Sequence, residues 1–243
     1  MLPASPSAWQ VWLQALLLCA GLLAGASCRA ARPLMTDDAG VNPVGGCQVE
    51  AWRDRGRQRV RFDHVDPACG VAEGLEVGLD LVRSRPGGEQ DQGRALTLKW
   101  SPEWAQWGMW RFGVTTGTSW LKSPATPQRA AHWRTGDWSA IAIASAELSD
   151  TWALHLNAGH QHDLTRQGTA TVYASALTWR PHERWVLFAE ALGNTRNAAV
   201  KAVGLRYWLI PDQLGLDLTA GRNGAGARQG SWGMGIGWYG IQF

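Results

Sequence analysis

Apolar and polar side chains alternate with a period of two along most of this chain. The segments "LEVGLDL" (75–81), "VGLRYWL" (203–209) and "LGLDLTAG" (214–221) each place apolar side chains on one face. The opposite face of each segment carries mostly charged residues, threonine or glycine. Because successive side chains of a strand point to opposite faces, this pattern predicts β-strands with one apolar and one polar side.

Segments of this kind recur along the chain, and none shows the 3.6-residue period of an amphipathic helix. After the first thirty residues, no stretch approaches the roughly 18 consecutive apolar residues of a transmembrane helix. We predict about twelve antiparallel strands, near 46–54, 59–65, 75–83, 94–100, 107–116, 137–148, 151–162, 169–180, 185–192, 199–210, 213–221 and 231–243.

The connections between these strands alternate between two kinds. One kind is short and contains Pro or Asp, as in "PHER" (181–184), and the other is mostly longer and rich in Gly, as in "SRPGGEQDQG" (84–93). Transmembrane β-barrels of outer membranes have this asymmetry between periplasmic turns and external loops. Two connections depart from it, since "RGRQ" (55–58) is too short for its place and "DPACGVAEG" (66–74) is too long.

The placement of the tryptophans also favours a barrel. A cluster of tryptophans at one end of the strands predicts an aromatic girdle in the headgroup zone of a membrane. The alternative, a soluble β-sandwich, would place its core tryptophans in the middle of strands. Those at or beside the short connections are Trp100, Trp104, Trp107, Trp152, Trp179, Trp185 and Trp208.

The chain ends in "GWYGIQF", where Tyr239, Ile241 and Phe243 alternate up to a terminal aromatic residue. Outer-membrane barrels commonly end in this way, and the barrel-assembly machinery reads their last strand. Upstream, the alternate residues from Trp232 to Trp238 are also apolar, so the sequence leaves the phase of this strand open.

The amino terminus is predicted to be a removable signal peptide over residues 1–30. The apolar run "ALLLCAGLLAGA" (15–26) is too short to span a bilayer but suits a secretory leader. Cleavage near Ala30 is preferred, and a lipoprotein site at Cys28 is the alternative. We then expect a periplasmic N-terminal segment at 31–45 and an outer-membrane barrel over 46–243, in a Gram-negative bacterium.

Removal of the leader leaves two cysteines, Cys47 and Cys69. An exported chain with two cysteines is expected to form one disulfide, and two separate thiols are the alternative. Cys47 begins the first predicted strand, and Cys69 lies in the connection between the second and third. At about 4.8 Å per strand, two strands separate the cysteines by at most about 10 Å, and the flexible connection can bring their Cα atoms within the roughly 7 Å that a disulfide needs. We therefore predict a Cys47–Cys69 bond that holds this connection against the barrel rim.

The ends of the predicted barrel resemble a known group of proteins. "ARPLMTDDAGVNPVGGCQVEAW" (31–52) and "VGLRYWLIPDQLGLDLTAG" (203–221) are similar to outer-membrane transporters of Gram-negative bacteria. This group is related to the porin-like proteins associated with the MetA pathway of phenol degradation. The resemblance implies a barrel and passive transport, and it carries over no catalytic or binding residue.

In such a barrel the polar strand faces must line the lumen, because charges facing lipid at mid-membrane cost about 2–4 kcal/mol. Both signs are present, so cross-strand pairing would largely neutralise the lumen. A structural plug of ion pairs and a charge-filtering pore both remain open. The selectivity candidates are Glu76, Asp80, Lys99, Arg111, His155, Glu190, Arg206 and Asp217, and we expect Glu50, Arg61, Asp63 and Asn157 to face the lumen with them.

Two local features lead to further predictions. A tight turn at Pro211 and Asp212 sets Arg206 opposite Asp217, and Glu190 on the preceding strand is expected to complete a three-strand charge ladder. The connection over 117–136 is the longest and contains several basic residues. We expect it to fold over or into the external mouth.

Composition excludes some functions and leaves others open. The net charge of +3 comes from scattered basic residues, which argues against nucleic-acid binding. His160 and His162 share one strand face, but no clear third ligand accompanies them, so we predict neither a metal site nor a cofactor. The predicted function is passage of an unknown small solute, with outer-membrane lipid and the assembly machinery as partners. A lipid-hydrolysing barrel with a Ser–His pair and a purely structural barrel are the alternatives.

Overall fold

The computed structural model describes residues 34–55, 60–85, 91–123, 130–164, 167–223 and 230–243. Within these ranges the chain is almost entirely β-structure. No helix that could cross a membrane is found there. The strands are β1 (Gly46–Arg55), β2 (Arg61–Ala72), β3 (Leu75–Arg85), β4 (Asp91–Trp100), β5 (Gln106–Trp107), β6 (Trp110–Ser123), β7 (His132–Glu147), β8 (Trp152–Asp163), β9 (Gly168–His182), β10 (Trp185–Asn194), β11 (Asn197–Ile210), β12 (Leu214–Asn223) and β13 (Gly230–Gln242).

The strands form one closed antiparallel barrel. Consecutive long strands pair with each other, β1 pairs with β13, and β4 pairs with β6. The two-residue strand β5 pairs only with the start of β6 in the described structure, so twelve strands form the wall. This confirms the predicted all-β transmembrane-type barrel of about twelve strands.

Alternation along each strand separates the two surfaces of the wall. Strands of 10 to 16 residues exceed the roughly 9–11 residues that a tilted strand needs to cross a bilayer. Large apolar side chains on the outer surface are exposed, such as Leu81, Leu216 and Ile236. Most of the buried charged side chains lie on the inner surface, so the interior of the barrel is polar.

Short turns and longer loops alternate along the chain more regularly than the sequence indicated. The expected exception at 66–74 is wrong, because β2 continues to Ala72 and only Glu73 and Gly74 form the turn. The expected twenty-residue loop at 117–136 is also wrong. Its two ends belong to β6 and β7, and residues 124–131 connect them. Most of that connection, with the predicted gate, and the connection at 56–59 lie outside the described residues.

An aromatic girdle surrounds the short-turn end. Trp152 stacks on Trp179 across β8 and β9, and Trp185 contacts Tyr207 across β10 and β11. The predicted girdle residues on the outer surface are Trp100, Trp104, Trp107, Trp152, Trp179 and Trp185. Trp208 was wrongly included, since it is 5% exposed and lies inside the barrel. The alternation of β11 turns it inward together with Arg206.

A β-bulge determines the phase of the last strand. The register of β1 and β13 shifts where Cys47 pairs with Ile241 and Val49 pairs with Trp238. Gly240 lies in this bulge with φ of 69°, a conformation that favours glycine. As a result Trp238 faces outward and Tyr239 faces the lumen, which the sequence left open.

The Cys47–Cys69 disulfide is present. The two cysteines pair directly across β1 and β2, with Cα atoms 4.1 Å apart. The predicted location was less accurate, because Cys69 belongs to a strand and not to a loose connection. The bond therefore joins adjacent strands next to the seam between β1 and β13.

Candidate functional site: the barrel lumen

The segment that precedes β1 runs inside the barrel. The predicted signal peptide and residues 31–33 lie outside the described residues, and residues 34–43 enter the lumen at the short-turn end. We call residues 34–43 the inner segment. It passes so close to β2 that a Cβ atom on Gly70 would overlap the backbone of Asn42 and Pro43.

Hydrogen bonds hold the inner segment to the lumen wall near the rim. Glu76 Oε2 accepts bonds of 2.8 Å from both the backbone and the side-chain nitrogen of Asn42. Farther in, the Ala39 backbone N–H donates to Ser145 Oγ at 2.9 Å. Both Asn42 and Ala39 are almost completely buried.

The deeper part of the inner segment binds β8 and β10. Asp37 and Asn157 exchange two hydrogen bonds, backbone N–H to Oδ1 at 2.7 Å and Nδ2 to the carbonyl oxygen at 2.8 Å. Glu190 Oε2 accepts bonds from the N–H groups of Met35 and Thr36 and from the Thr36 hydroxyl. Leu34 packs on Ala176 and Phe188. The segment thus reaches the middle of the barrel.

Lys99 provides the ionic contact between wall and segment. Its Nζ atom lies 2.7 Å from Asp37 Oδ1 and 3.9 Å from Glu76 Oε1, and it donates to the Gly40 carbonyl at 3.2 Å. The neighbouring Asp38 is 4% exposed. Burial raises the pKa of Asp38 to about 7, an effect that the charge of Lys99 partly offsets.

A second buried cluster surrounds Arg206. Arg206 donates from Nε and Nη2 to the two carboxylate oxygens of Asp217 at 2.6 and 2.7 Å. Glu50 Oε1 lies 3.6 Å from Nη2 and accepts a hydrogen bond from the Tyr239 hydroxyl. The guanidinium carbon lies 4.9 Å from the ring centres of both Trp208 and Tyr239.

This cluster confirms one part of the predicted charge ladder and corrects another. Arg206 and Asp217 are register partners on β11 and β12, as expected. Glu190 is opposite Ala202, four residues along β11 from Arg206, and its carboxylate binds the inner segment. The second carboxylate beside Arg206 is instead that of Glu50 on β1. The sequence missed it because β1 and β11 approach only when the barrel closes.

The remaining selectivity candidates also face the lumen. Asp80 lies 3.1 Å from His64 Nδ1, and the His64 ring stacks on Trp52 with ring centres 4.4 Å apart. Arg111 is half-buried near the short-turn end, opposite Ser145 of β7. Whether any of these residues determines selectivity stays a prediction.

Two residues that we expected in the lumen are on the outside. His64 and Asp66 of β2 face inward, so Arg61 and Asp63 face outward, where Asp63 pairs with Arg53 of β1. Removing this one cation and one anion leaves the charge balance unchanged, but the structure adds Asp54, Asp66 and Asp137 to the inward carboxylates, so the described lumen is acidic rather than self-neutralising. Its inward strand carboxylates include Glu50, Asp54, Asp66, Glu76, Asp80, Asp137, Glu190 and Asp217, whereas its inward cations include Lys99, Arg111 and Arg206.

Two cavities extend from the inner segment toward the long-loop end. One, of about 380 Å³, is lined by side chains that include Glu50, Trp52 and Glu190. The other, of about 450 Å³, is lined by residues that include Asn157 and Gln161. Met35 borders both cavities, so the amino-terminal part of the inner segment lies at their floor.

A Ser–His pair does lie in the lumen. Ser145 Oγ is 2.9 Å from His155 Nδ1 and also accepts a bond from Ala39. His155 is 2% exposed, so the pair is covered by the inner segment and faces away from surrounding lipid. Groups of acidic, histidine and cysteine residues that could hold a metal are not found in the described ranges.

Sequence reasoning missed the inner segment itself. "TDDAGVN" (36–42) has no alternation, and nothing in it indicates which strands its polar groups would contact. The glycine of "PACG" (67–70) was the available signal, because Gly70 leaves room for Asn42 and Pro43. The glycines of "WGMGIG" (232–237) in β13 instead leave space for wall side chains, namely Asp54, Trp52 and Tyr239.

The closed twelve-strand wall, apolar outside and polar inside, defines this protein as a β-barrel of the outer-membrane porin type. Solved structures share this fold at low sequence identity. The KdgM porin matches with a TM-score of 0.59 and 10% identity over 79% of this chain and 98% of that one. The NanC porin matches with a TM-score of 0.57 and 8% identity over the same shares. The translocator domain of the autotransporter NalP from Neisseria meningitidis matches with a TM-score of 0.51 and 14% identity over 95% and 97%.

The chain belongs to the family described as "Uncharacterised conserved protein UCP029691", whose model matches residues 18–238. No curated protein matches the chain significantly. The porin fold agrees with the general resemblance found in the sequence, and the narrower link to the MetA-pathway group stays a prediction.

Proposed function

We propose that this protein is an outer-membrane channel for passive passage of small solutes, and that the inner segment closes its short-turn end. The observation that carries the proposal is the polar lumen with two cavities above a segment bound to its wall. A barrel of eight strands is filled by side chains, whereas twelve strands enclose more space. Here the inner segment occupies part of that space.

The contacts of the inner segment with the wall are of a kind that allows reversible docking. Its contacts with the wall are mainly hydrogen bonds and one ionic contact, which are each worth about 0.5–3 kcal/mol net. Few large apolar side chains take part, and Leu34 is the main one among the described residues. Release of the segment would therefore expose mostly polar groups that water can solvate.

The charge of the lumen favours cationic or neutral solutes. The inward carboxylates outnumber the inward cations, and fixed charge of one sign raises the local concentration of the opposite ion. A KdgM porin structure has been described in complex with disordered oligogalacturonate. Oligogalacturonate is an anionic chain, and the acidic lumen of the present barrel disfavours that class of solute.

Deletion of residues 34–42 tests the proposal directly. Full-length protein and the deletion variant, both produced with the leader, are inserted into planar bilayers under a salt gradient. We expect the variant to conduct several-fold more than the full-length protein and to prefer cations. Unchanged conductance in a correctly folded variant would contradict the proposed closure.

Two point variants provide a matched comparison. Glu190→Gln weakens three hydrogen bonds to the inner segment, and we expect it to raise the open fraction. Thr219→Val also changes an inward polar residue, but Thr219 makes no hydrogen bond to the inner segment in the described structure. We expect Thr219→Val to leave the open fraction unchanged. Equal effects of both variants would show that loss of docking does not cause the change in open fraction.

The geometry offers little support for the hydrolase alternative. A lipid hydrolase needs its Ser–His pair accessible to lipid, but Ser145 and His155 lie beneath Ala39 inside the barrel. We infer that this pair anchors the inner segment. Phospholipid hydrolysis by detergent-solubilised protein that disappears in Ser145→Ala would overturn this inference.

A further inference from the structure

The outer surface of β1–β4 carries a group of arginines at the long-loop end. They lie above the apolar part of the strands, where a membrane surface would begin. We call Arg53, Arg55, Arg61, Arg83, Arg85 and Arg94 the arginine belt.

The strand register places three of these arginines side by side. Arg55 pairs with Arg61 across β1 and β2, and Arg61 pairs with Arg85 across β2 and β3. Like charges directly opposite each other destabilise a sheet. On these four strand ends, Asp63 is the one acidic side chain that the structure describes on the outer surface, and it is bound to Arg53. Asp63 only partly offsets Arg61 and Arg85, so the row from Arg55 to Arg85 keeps an excess of positive charge that an anion would neutralise.

Apolar and aromatic side chains adjoin the belt. Arg94 lies 4.2 Å from the ring centre of Trp133 and 5.8 Å from that of Trp120. A groove of about 1040 Å³ runs along the wall, bordered by Arg83 and Arg94 and by outward apolar residues such as Leu81 and Met234. A cationic edge thus adjoins an apolar groove that crosses several strands of the wall.

We propose that the arginine belt and this groove bind a phosphorylated lipid of the leaflet at the long-loop end. Its phosphate would lie between Arg55, Arg61 and Arg85, and its acyl chains would follow the groove. Arginine suits this role, because its planar guanidinium group can donate two parallel hydrogen bonds to phosphate oxygens. The inference rests on the membrane location proposed above and is independent of transport.

A lipid fits these observations better than a free anion. Inorganic phosphate would neutralise the arginines but leave the adjoining groove uncovered. A zwitterionic lipid would cover the groove, but its own positive charge would oppose the belt. The combination of cationic and apolar surfaces therefore selects an anionic amphiphile.

Native mass spectrometry of the full-length protein in neutral detergent can measure this binding. The probes are dioleoyl phosphatidic acid, dioleoyl phosphatidylcholine and inorganic phosphate. We expect phosphatidic acid to be retained at least about tenfold more tightly than phosphatidylcholine, as loss of charge-assisted hydrogen bonds implies. Inorganic phosphate that binds as tightly as phosphatidic acid would contradict a lipid site.

Arg61→Gln/Arg85→Gln is the test variant, and Lys201→Gln/Arg222→Gln is its control. Lys201 and Arg222 also pair across neighbouring strands at the long-loop end, so both variants remove two outward charges. We expect about tenfold weaker phosphatidic acid binding in the test variant only, given the loss of two charged contacts. Equal losses in both variants, or no loss in either, would overturn the proposal.

Heat-modifiable migration on gels shows separately whether each variant is folded, and flotation with vesicles shows whether it inserts. A folded barrel that fails to insert would refute the membrane location. A folded, inserted barrel without preference for phosphatidic acid would refute the lipid site alone.

Discussion

At the scale of single residues, burial changes the energetic contribution expected of the Arg206–Asp217 pair. A partly hydrated ion pair would contribute at most about 1 kcal/mol. Arg206 is 3% exposed and Asp217 is 6% exposed, so the pair is buried. Burial makes the loss of one partner costly, because the other charge stays in the protein without compensation. The pair therefore affects both the fold and the charge of the lumen.

Replacement of Arg206 with Ala should reveal both effects. We expect the free energy of unfolding to fall by about 3–5 kcal/mol, as for other buried pairs that lose one member. We also expect the reversal potential in a salt gradient to shift toward cation preference. Denaturant unfolding followed by tryptophan fluorescence and bilayer recordings measure the two effects.

Arg180 provides the comparison for that variant. It pairs at 3.0 Å with Asp212, whose side chain is 60% exposed, in the turn after β11. Arg180→Ala should cost less than about 1 kcal/mol, because surface ion pairs are largely screened. A similar loss of stability in both variants would show that burial is not the cause.

At the scale of elements, two features at the short-turn end lead to predictions: the inner segment and the disulfide. The segment carries the buried Asp38, and the disulfide fixes the strands beside the place where the segment enters. In the proposed channel the segment would govern closure of the lumen, whereas the disulfide joins the strands of the rim.

Docking of the inner segment should depend on pH through Asp38. Burial raises the pKa of the Asp38 carboxyl to about 7 in the docked state, from an ordinary value of 3.8. A carboxyl whose pKa is raised by docking favours docking at low pH and opposes it as pH rises through the docked pKa. Docking therefore weakens between these two pKa values, so we expect conductance to increase between about pH 4 and 7 and to level off above that. In Asp38→Asn this part of the pH dependence should disappear, and its persistence would assign the effect to another group.

Loss of the disulfide should destabilise the barrel without opening it. Cys47 and Cys69 are separated by 22 residues in the chain. Closure of a loop of that length removes unfolded-state entropy worth about 3 kcal/mol. Cys47→Ala/Cys69→Ala should therefore unfold at lower temperature while its conductance stays unchanged. Non-reducing mass spectrometry that finds both thiols free in the native protein would contradict the bond itself.

At the scale of the whole molecule, the small net charge of +3 conceals a spatial separation of charge. The described lumen has an excess of carboxylates, whereas the arginine belt makes one sector of the outer surface basic. The closed barrel keeps the two apart, since its wall places alternate residues on opposite surfaces. In the proposed channel a solute and a membrane lipid would therefore meet opposite charges on the same strands.

The sequence predicted the wall of the barrel well because each strand carries its own evidence. Alternation in 75–81 or 214–221 is local, and one buried or lipid-covered face requires it. The same locality explains the Arg206–Asp217 pair, which follows from one tight turn. Trp208 was counted in the girdle because it lies beside a short turn, although the alternation of 203–209 places it on the polar face with Arg206. Arg61 and Asp63 were assigned to the wrong surface because the apolar pattern near them is weak.

Strand number, wall polarity, the disulfide partners and the short-turn girdle were thus determined by the sequence alone, since each depends on neighbours in the chain. The tertiary structure alone decided that the inner segment lies in the lumen and that Glu50 joins Arg206. It also decided that Arg55, Arg61 and Arg85 form one row on the outside. These contacts join residues far apart in sequence, and their geometry exists only after β1 meets β13 and the barrel closes.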